Sequence, residues 1–350
     1  MKIGLIIYGS LDIVSGGYLY DRKLVESLRK RGDEVEIISL PQRNYLAYLL
    51  DNFAFRLPHG FDIIIEDELN HPSLLSANAE KDSCPVVSLV HNLHSLEPRA
   101  KWQNNLYRIV EQQYLNSVDG FIFNSETTSK AVHDLIKDKK TSIIANPPTD
   151  RFGLRINENQ IRLRANELNP LRILFLGNVI PLKGLLVLLE ALRHQTLGIR
   201  LDVVGSLDID HKYAEKMQKI VKVYDLTSKV HFHGILDNDP LIEKLANAQV
   251  MVIPSLYEGF GISYLEGMGF GLPAIATTSG AASEFIINGE NGFLIPPENS
   301  SALAEQLNTL ANDRNLLTRI SINALQTYQS RPSWEQTVDR IRDFLLQIVS

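Results

Sequence analysis

Two doubly wound α/β domains in tandem, followed by a C-terminal helix, are what the sequence predicts, and three observations predict it. Short β-branched runs recur between longer amphipathic segments, the rhythm breaks once near the middle and restarts, and the residues after Asn299 read as helical. At 350 residues the chain is too long for one typical core and comfortable for two.

The first apolar run, residues 3–7, is too short for a signal sequence and reads as a strand, with Gly9, Ser10 and Asp12 close behind it. Residues 18–31 carry a helical spacing in Leu19, Lys23, Leu24, Ser27 and Leu28 and stop at Gly32. Residues 35–39, 62–65, 86–90 and 120–124 continue as strands. Strands alternating with helices imply parallel pairing through crossovers, hence a sheet covered on both faces. Between residues 146 and 171 the alternation lapses into Asn146-Pro147-Pro148, Gly153 and Asn169-Pro170. The junction is expected there, with a first domain over 1–160 and a second over 161–330. Strands resume at 172–176, 201–204, 230–233, 250–253 and 274–276. Beyond Arg331-Pro332, Ser333 can cap a last helix whose apolar face runs through Trp334, Val338, Ile341, Phe344 and Leu345. That helix, 331–350, is expected to pack back on the first domain.

Composition narrows the function. A 44% hydrophobic and 22% charged content is that of an ordinary globular protein. A net charge of -6 argues against a general nucleic-acid binder, which needs surplus Lys and Arg. Cys84 is the only cysteine, so neither a disulfide framework nor a cysteine zinc cluster can form, as suits a reducing cytoplasm. No uncharged apolar stretch approaches the roughly 18 residues that span a bilayer, so crossing a membrane is not expected, although contact with one stays open.

The stretch Pro254-Ser255-Leu256-Tyr257-Glu258-Gly259-Phe260-Gly261-Ile262, continuing to Glu266, carries the most chemistry. A strand ends near Pro254 and a helix begins after Gly261, which puts the loop at the carboxyl edge of the sheet, where open α/β sheets bind ligands. Gly259 and Gly261 let backbone approach a ligand, and amides at a helix start attract anions. Eight residues of continuous helix would set Glu258 and Glu266 roughly 12 Å apart. Such a pair cannot share a proton; it suits a ligand with hydroxyls at both ends and phosphates between. Spacing alone also allows a capping Glu beside a solvated one.

Glu-x7-Glu over Glu258 to Glu266 resembles the signature of the retaining glycosyltransferase family 4, which adopts the two-domain GT-B fold, with both domains facing a cleft. The resemblance implies that Glu258 holds the donor sugar hydroxyls, Glu266 the ribose hydroxyls, and the amides of Gly259, Phe260, Gly261 and Ile262 the sugar and phosphates. Gly177-Asn178-Val179-Ile180-Pro181-Leu182-Lys183-Gly184 is similar to the family's second phosphate loop, placing Lys183 on the diphosphate. Asn178 stands where many relatives carry Arg. Ser15-Gly16-Gly17-Tyr18 resembles the family's glycine loop, and His91 in Val90-His91-Asn92-Leu93-His94 matches a position that contacts the donor sugar or reacting centre. Gly205-Ser206 and Gly234-Ile235-Leu236 resemble loops around base and phosphates. The catalytic set is thus Glu258, Lys183 and His91, with Gly16, Gly17, Asn178, Gly205, Ile235, Leu236 and Glu266 on the donor.

The resemblance further implies retention of anomeric configuration without a divalent metal or other cofactor, the nucleotide sugar being a co-substrate, UDP-glucose or a related UDP-hexose. His91 and His94 as a metal pair lack carboxylates at obvious ligand spacing, and Glu66-Asp67-Glu68 reads as a strand-end acidic loop. The acceptor is expected to be a glycan or lipid-linked sugar in cell-surface polysaccharide synthesis at the cytoplasmic side of the membrane. Residues 42–50 and 53–56, rich in apolar groups and Arg, fit either an interfacial helix or a core-facing one. Rival readings are a nucleotide-sugar epimerase or phosphorylase of the same fold, and a non-catalytic two-domain sugar-binding protein.

Overall fold

A computed structural model of the protein describes every residue except 14, 82–83, 149, 154, 168–169 and 194–197. Asn169, part of the expected junction, therefore lies outside the described residues. The chain divides into two compact units, residues 1–148 with 332–350, and residues 149–331.

The first unit contains β1 (Lys2–Tyr8), α1 (Gly16–Lys30), β2 (Glu34–Leu40), α2 (Tyr45–Asp51), β3 (Ile63–Asp67), α3 (His71–Ala79), β4 (Val86–Val90), α4 (Lys101–Ser117), β5 (Gly120–Phe123), α5 (Glu126–His133) and β6 (Thr141–Ile144). All six strands are parallel, in the order β2-β1-β3-β4-β5-β6. Alternation along β1 sends Ile3, Leu5 and Ile7 to one core and Ile6 and Tyr8 to another. Along β1, β3, β4 and β5 both faces are dry, which is why these strands read as largely apolar runs, whereas the edge strands β2 and β6 are partly exposed.

The second unit contains α6 (Glu158–Asn166), β7 (Leu171–Leu176), α7 (Leu185–Arg193), β8 (Ile199–Val204), α8 (His211–Val223), β9 (Val230–Gly234), α9 (Asn238–Asn247), β10 (Val250–Val252), α10 (Ile262–Met268), β11 (Ala274–Thr277), β12 (Gly292–Ile295), α11 (Ser300–Asn312) and α12 (Arg314–Gln329). Its sheet is also parallel, in the order β12-β11-β10-β7-β8-β9.

α13 (Trp334–Val349) belongs to the first unit. A capping box starts it: Ser333 Oγ accepts from the Gln336 amide and Gln336 Oε1 accepts from the Ser333 amide, at 3.3 and 3.0 Å. Trp334, Val338, Ile341, Phe344 and Leu345 join the core formed by β1 and α1.

Three differences from the sequence reading have physical causes. The division falls at residues 148/149 rather than 160/161, because α6 is committed to the second unit: Ile161 is in its core and the Arg164 guanidinium donates to the carbonyls of Phe270 and Gly271. β6 and β12 escape sequence reading because both are four-residue edge strands. On α1 the buried face runs through Tyr20, Asp21, Leu24, Val25 and Leu28, while Lys23 turns outward to pair with Glu26 at 2.8 Å.

Candidate active site

In the second unit the chain leaves β7 toward β8 on one side and returns to β10 on the other. The loops after β7 and β10 therefore diverge at a topological switch point, the place where open α/β sheets accept ligands. Lys183 comes from the first loop and Glu258 from the second. Their side chains meet: Lys183 Nζ lies 2.8 Å from Glu258 Oε2, which also accepts from Ser255 Oγ at 3.0 Å. The pair is accessible, with side-chain exposures of 25% and 13%.

Backbone geometry locks these loops together. The Leu256 amide donates to the Leu182 carbonyl at 2.8 Å. At Gly184, with φ +70°, a Cβ would lie 2.0 Å from the Pro254 carbonyl oxygen, so no other residue fits there unstrained. The same holds at Gly205, where a Cβ would stand 2.0 Å from the Gly177 carbonyl oxygen. The Ala281 amide donates to the Glu258 carbonyl at 2.9 Å, fixing Glu258 from the β11 side. Glu258 thus sits in a braced loop before α10, not on a helix continuous with Glu266. The roughly 12 Å estimate for a continuous helix has no application here.

The other donor-site residues divide by role. Asn178 Oδ1 accepts from the Ser206 amide at 3.3 Å, tying the β7 and β8 loops. Gly205 N donates to the Gly234 carbonyl at 2.9 Å, joining the β8 and β9 loops; Ile235 and Leu236 follow, Ile235 exposed. Phe260 turns its ring into the core against Phe285, so only its backbone can face a ligand. Gly261, at φ +99°, is required by the fold itself, since a Cβ would strike the Tyr264 ring. Glu266 is buried and paired with Arg151 at 2.7 Å, and Arg151 also reaches Asn238 at 3.1 Å. Burial holds the Glu266 carboxyl above its usual range, with Arg151 pulling the other way. Neither Ser255 nor Arg151 was assigned a role from sequence; Arg151 sits in the junction, where spacing carries no signal.

The first unit gathers His91 with residues the sequence did not link to it. Gly16 and Gly17 form the first turn of α1 rather than a loop before it, and a Cβ on Gly17 would stand 3.3 Å from the His91 ring. His91 Nε2 lies 2.9 Å from Asp21 Oδ1, one turn along α1. Burial lowers the imidazole pKa, but the charge and hydrogen bond of Asp21 outweigh it and raise the net value. Asp67, at the end of β3, is pushed up to about 7 by burial and then by Asp21. The ligand atoms of Asp21, Asp67 and His91 lie within 4.8 Å of one another, so His91 does have carboxylate company, supplied by tertiary structure. Residues 42–50 face both ways: Tyr48 packs against the core and stacks on Tyr8 at 4.0 Å, while Leu46, Leu50 and nearby Phe53 are exposed.

Comparison with known proteins adds similarity to glycosyl transferases. The profile described as "Glycosyl transferases group 1" matches residues 157–327. This segment, just under half of the chain, is thus similar to group 1 glycosyl transferases. Over 169 residues, 48% of this chain, the sequence is 30% identical to an uncharacterized glycosyltransferase of Methanocaldococcus jannaschii, and the match spans 46% of that relative. Sucrose-phosphate synthase from Thermosynechococcus elongatus superposes with a TM-score of 0.83 at 20% identity, over 99% of this chain and 98% of its own. Anabaena HepE, solved in complex with UDP and glucose, gives 0.76 at 20% identity, over 99% of each chain. The fold is the GT-B fold of glycosyltransferases. No helix among the described residues is long and apolar enough to cross a membrane.

Proposed function

We propose that this chain is a retaining, metal-independent hexosyltransferase of glycosyltransferase family 4. Its donor is a nucleotide diphosphate sugar, UDP-glucose or a related UDP-hexose, and its acceptor a glycan or lipid-linked sugar of cell-surface polysaccharide synthesis. The observation that carries this reading is the Lys183–Glu258 pair at the switch point of the transferase domain. A diphosphate arriving there competes for the Lys183 ammonium, and its charge exceeds that of one carboxylate. Lys183 then stabilises the leaving phosphate, and Glu258, released on one side and still held by Ser255, accepts from sugar hydroxyls. The bond from the anomeric carbon to the phosphate oxygen breaks, the acceptor oxygen bonds to the same face, and the acceptor proton passes to the leaving phosphate. Glu266 takes the ribose hydroxyls and His91 the sugar side.

The UDP and glucose in HepE support the choice of donor. The exposed Leu46, Leu50 and Phe53 support an acceptor met at the inner membrane surface by a cytoplasmic protein. Calorimetric titration with a panel of nucleotide sugars, with and without EDTA, tests donor and metal independence together. Glu258→Ala and Lys183→Ala are each expected to lower turnover at least about a hundredfold, near 2.7 kcal/mol of barrier. Wild-type kinetics in both folded variants would overturn the assignment.

A further inference from the structure

Among the described residues of the first unit, Glu68 stands out for having both side-chain oxygens buried without a hydrogen bond. It directly follows β3 and is fully buried. A buried carboxyl group with no well-formed hydrogen bond is costly, and a fold that retains one has something to set against it. Two further groups converge on it. His71 Nδ1 lies 3.1 Å from Glu68 Oε1 and 3.0 Å from the Glu68 carbonyl oxygen. The ligand atoms of Glu68, His71 and Glu111 all stand within 4.8 Å of one another, and all three residues are buried.

We infer that the first unit binds a divalent first-row cation, zinc in the first instance, between Glu68, His71 and Glu111. Two carboxylates neutralise a dication, and one imidazole with two carboxylates is a borderline donor set that suits zinc or manganese. Magnesium, which keeps several waters, fits a dry site poorly. Outer partners are already in place. His71 Nδ1 donates to the Glu68 carbonyl, and His71 Nε2, 2.9 Å from Tyr45 Oη, accepts. Ion binding would move the proton to Nε2, from which Tyr45 Oη can accept, and free Nδ1 for the ion. Ser95 donates to both oxygens of Glu111, from its amide at 3.0 Å and its hydroxyl at 2.5 Å. Glu68, which nothing else holds, is the ligand free to turn inward and close the shell at about 2.0–2.2 Å. The ion would tie the end of β3, the first residue of α3 and the middle of α4. This cation is separate from the transfer chemistry at Glu258, and its readout is binding rather than turnover.

The test is calorimetric titration of the EDTA-treated, dialysed full chain with Zn²⁺ and, separately, Mn²⁺, with metal content measured before stripping. The expected result is one equivalent of Zn²⁺, a raised melting temperature, and affinity at least about a hundredfold weaker in Glu68→Gln and in His71→Gln, while Asp67→Asn binds as wild type. Circular dichroism checks that each variant is folded. Absence of binding to the wild-type chain overturns the inference. So does unchanged binding in folded Glu68→Gln and His71→Gln, or loss in Asp67→Asn alone, which would move the ion to the His91 cluster.

Discussion

Arg151 and Glu266 show how a residue without a local signal can be decisive. Glu266 is enclosed by the second unit, and the Arg151 guanidinium meets it at 2.7 Å while lying 4.5 Å over the Phe152 ring. Removing the cation strands a buried carboxylate, whereas removing both charges does not. Arg151→Ala is therefore expected to destabilise the second unit by about 1–3 kcal/mol, and Arg151→Ala with Glu266→Gln to recover at least half of that, measured by urea unfolding. A single variant as stable as wild type would leave the pair without energetic weight. Sequence spacing marked Glu258 and Glu266 but could not find their partners Lys183 and Arg151, because each comes from a loop distant along the chain. Pairing of this kind is set by where strands end, not by neighbours in sequence.

Among elements, β8 and β9 illustrate how the loops around the switch point are held in register. Asp202 on β8 receives His233 of β9 at 2.5 Å and Lys244 of α9 at 3.0 Å. Burial raises the Asp202 carboxyl, but the hydrogen bonds from His233 and Lys244 outweigh it and leave the value lowered. A folded value below the unfolded one means that the unfolded chain binds the proton more readily. The contribution is thus fully present above the unfolded pKa, about 3.9, and fades as pH falls through the folded value. Asp202→Asn should cost about 1–2 kcal/mol at pH 7, allowing for solvent screening, with the gap to wild type closing toward pH 3. A gap independent of pH in denaturant titrations would rule this out. The elements most legible in sequence are those buried on both faces, such as β4, whose Val86–Val90 run matches the expected strand residue for residue. Edge strands such as β6, half exposed and opening with Thr141-Ser142, offer no such pattern.

For the whole molecule, α13 is the element whose removal has the widest effect. Its Trp334, Val338, Ile341, Phe344 and Leu345 are at most 8% exposed against the β1 and α1 core. At about 1.5–3 kcal/mol per large apolar side chain, they supply as much as a domain's usual net stability of about 5–15 kcal/mol. Ending the chain at Arg331 is expected to abolish amide protection across residues 1–148 while leaving 149–331 protected, read by hydrogen exchange with mass spectrometry. Retained protection in β1 and α1 would show that the helix is dispensable. A gentler check is Ile341→Ala, expected to cost about 2–5 kcal/mol.

The fold class and ten of the strands were legible in the sequence, which also singled out Glu258 and Glu266 as candidates. Apolar periodicity and turn chemistry are local properties, and both-face burial writes them plainly. It also suggested that the C-terminal helix, with a capped start and a continuous apolar stripe, needs a partner. Tertiary structure alone decided that Lys183 meets Glu258, that Arg151 covers Glu266, and that His91 joins Asp21 and Asp67 while Glu68 faces His71 and Glu111. The physical reason is topology. In a parallel sheet every strand delivers its following loop to the same edge, so groups far apart in sequence meet there, and which ones meet depends on strand order rather than spacing.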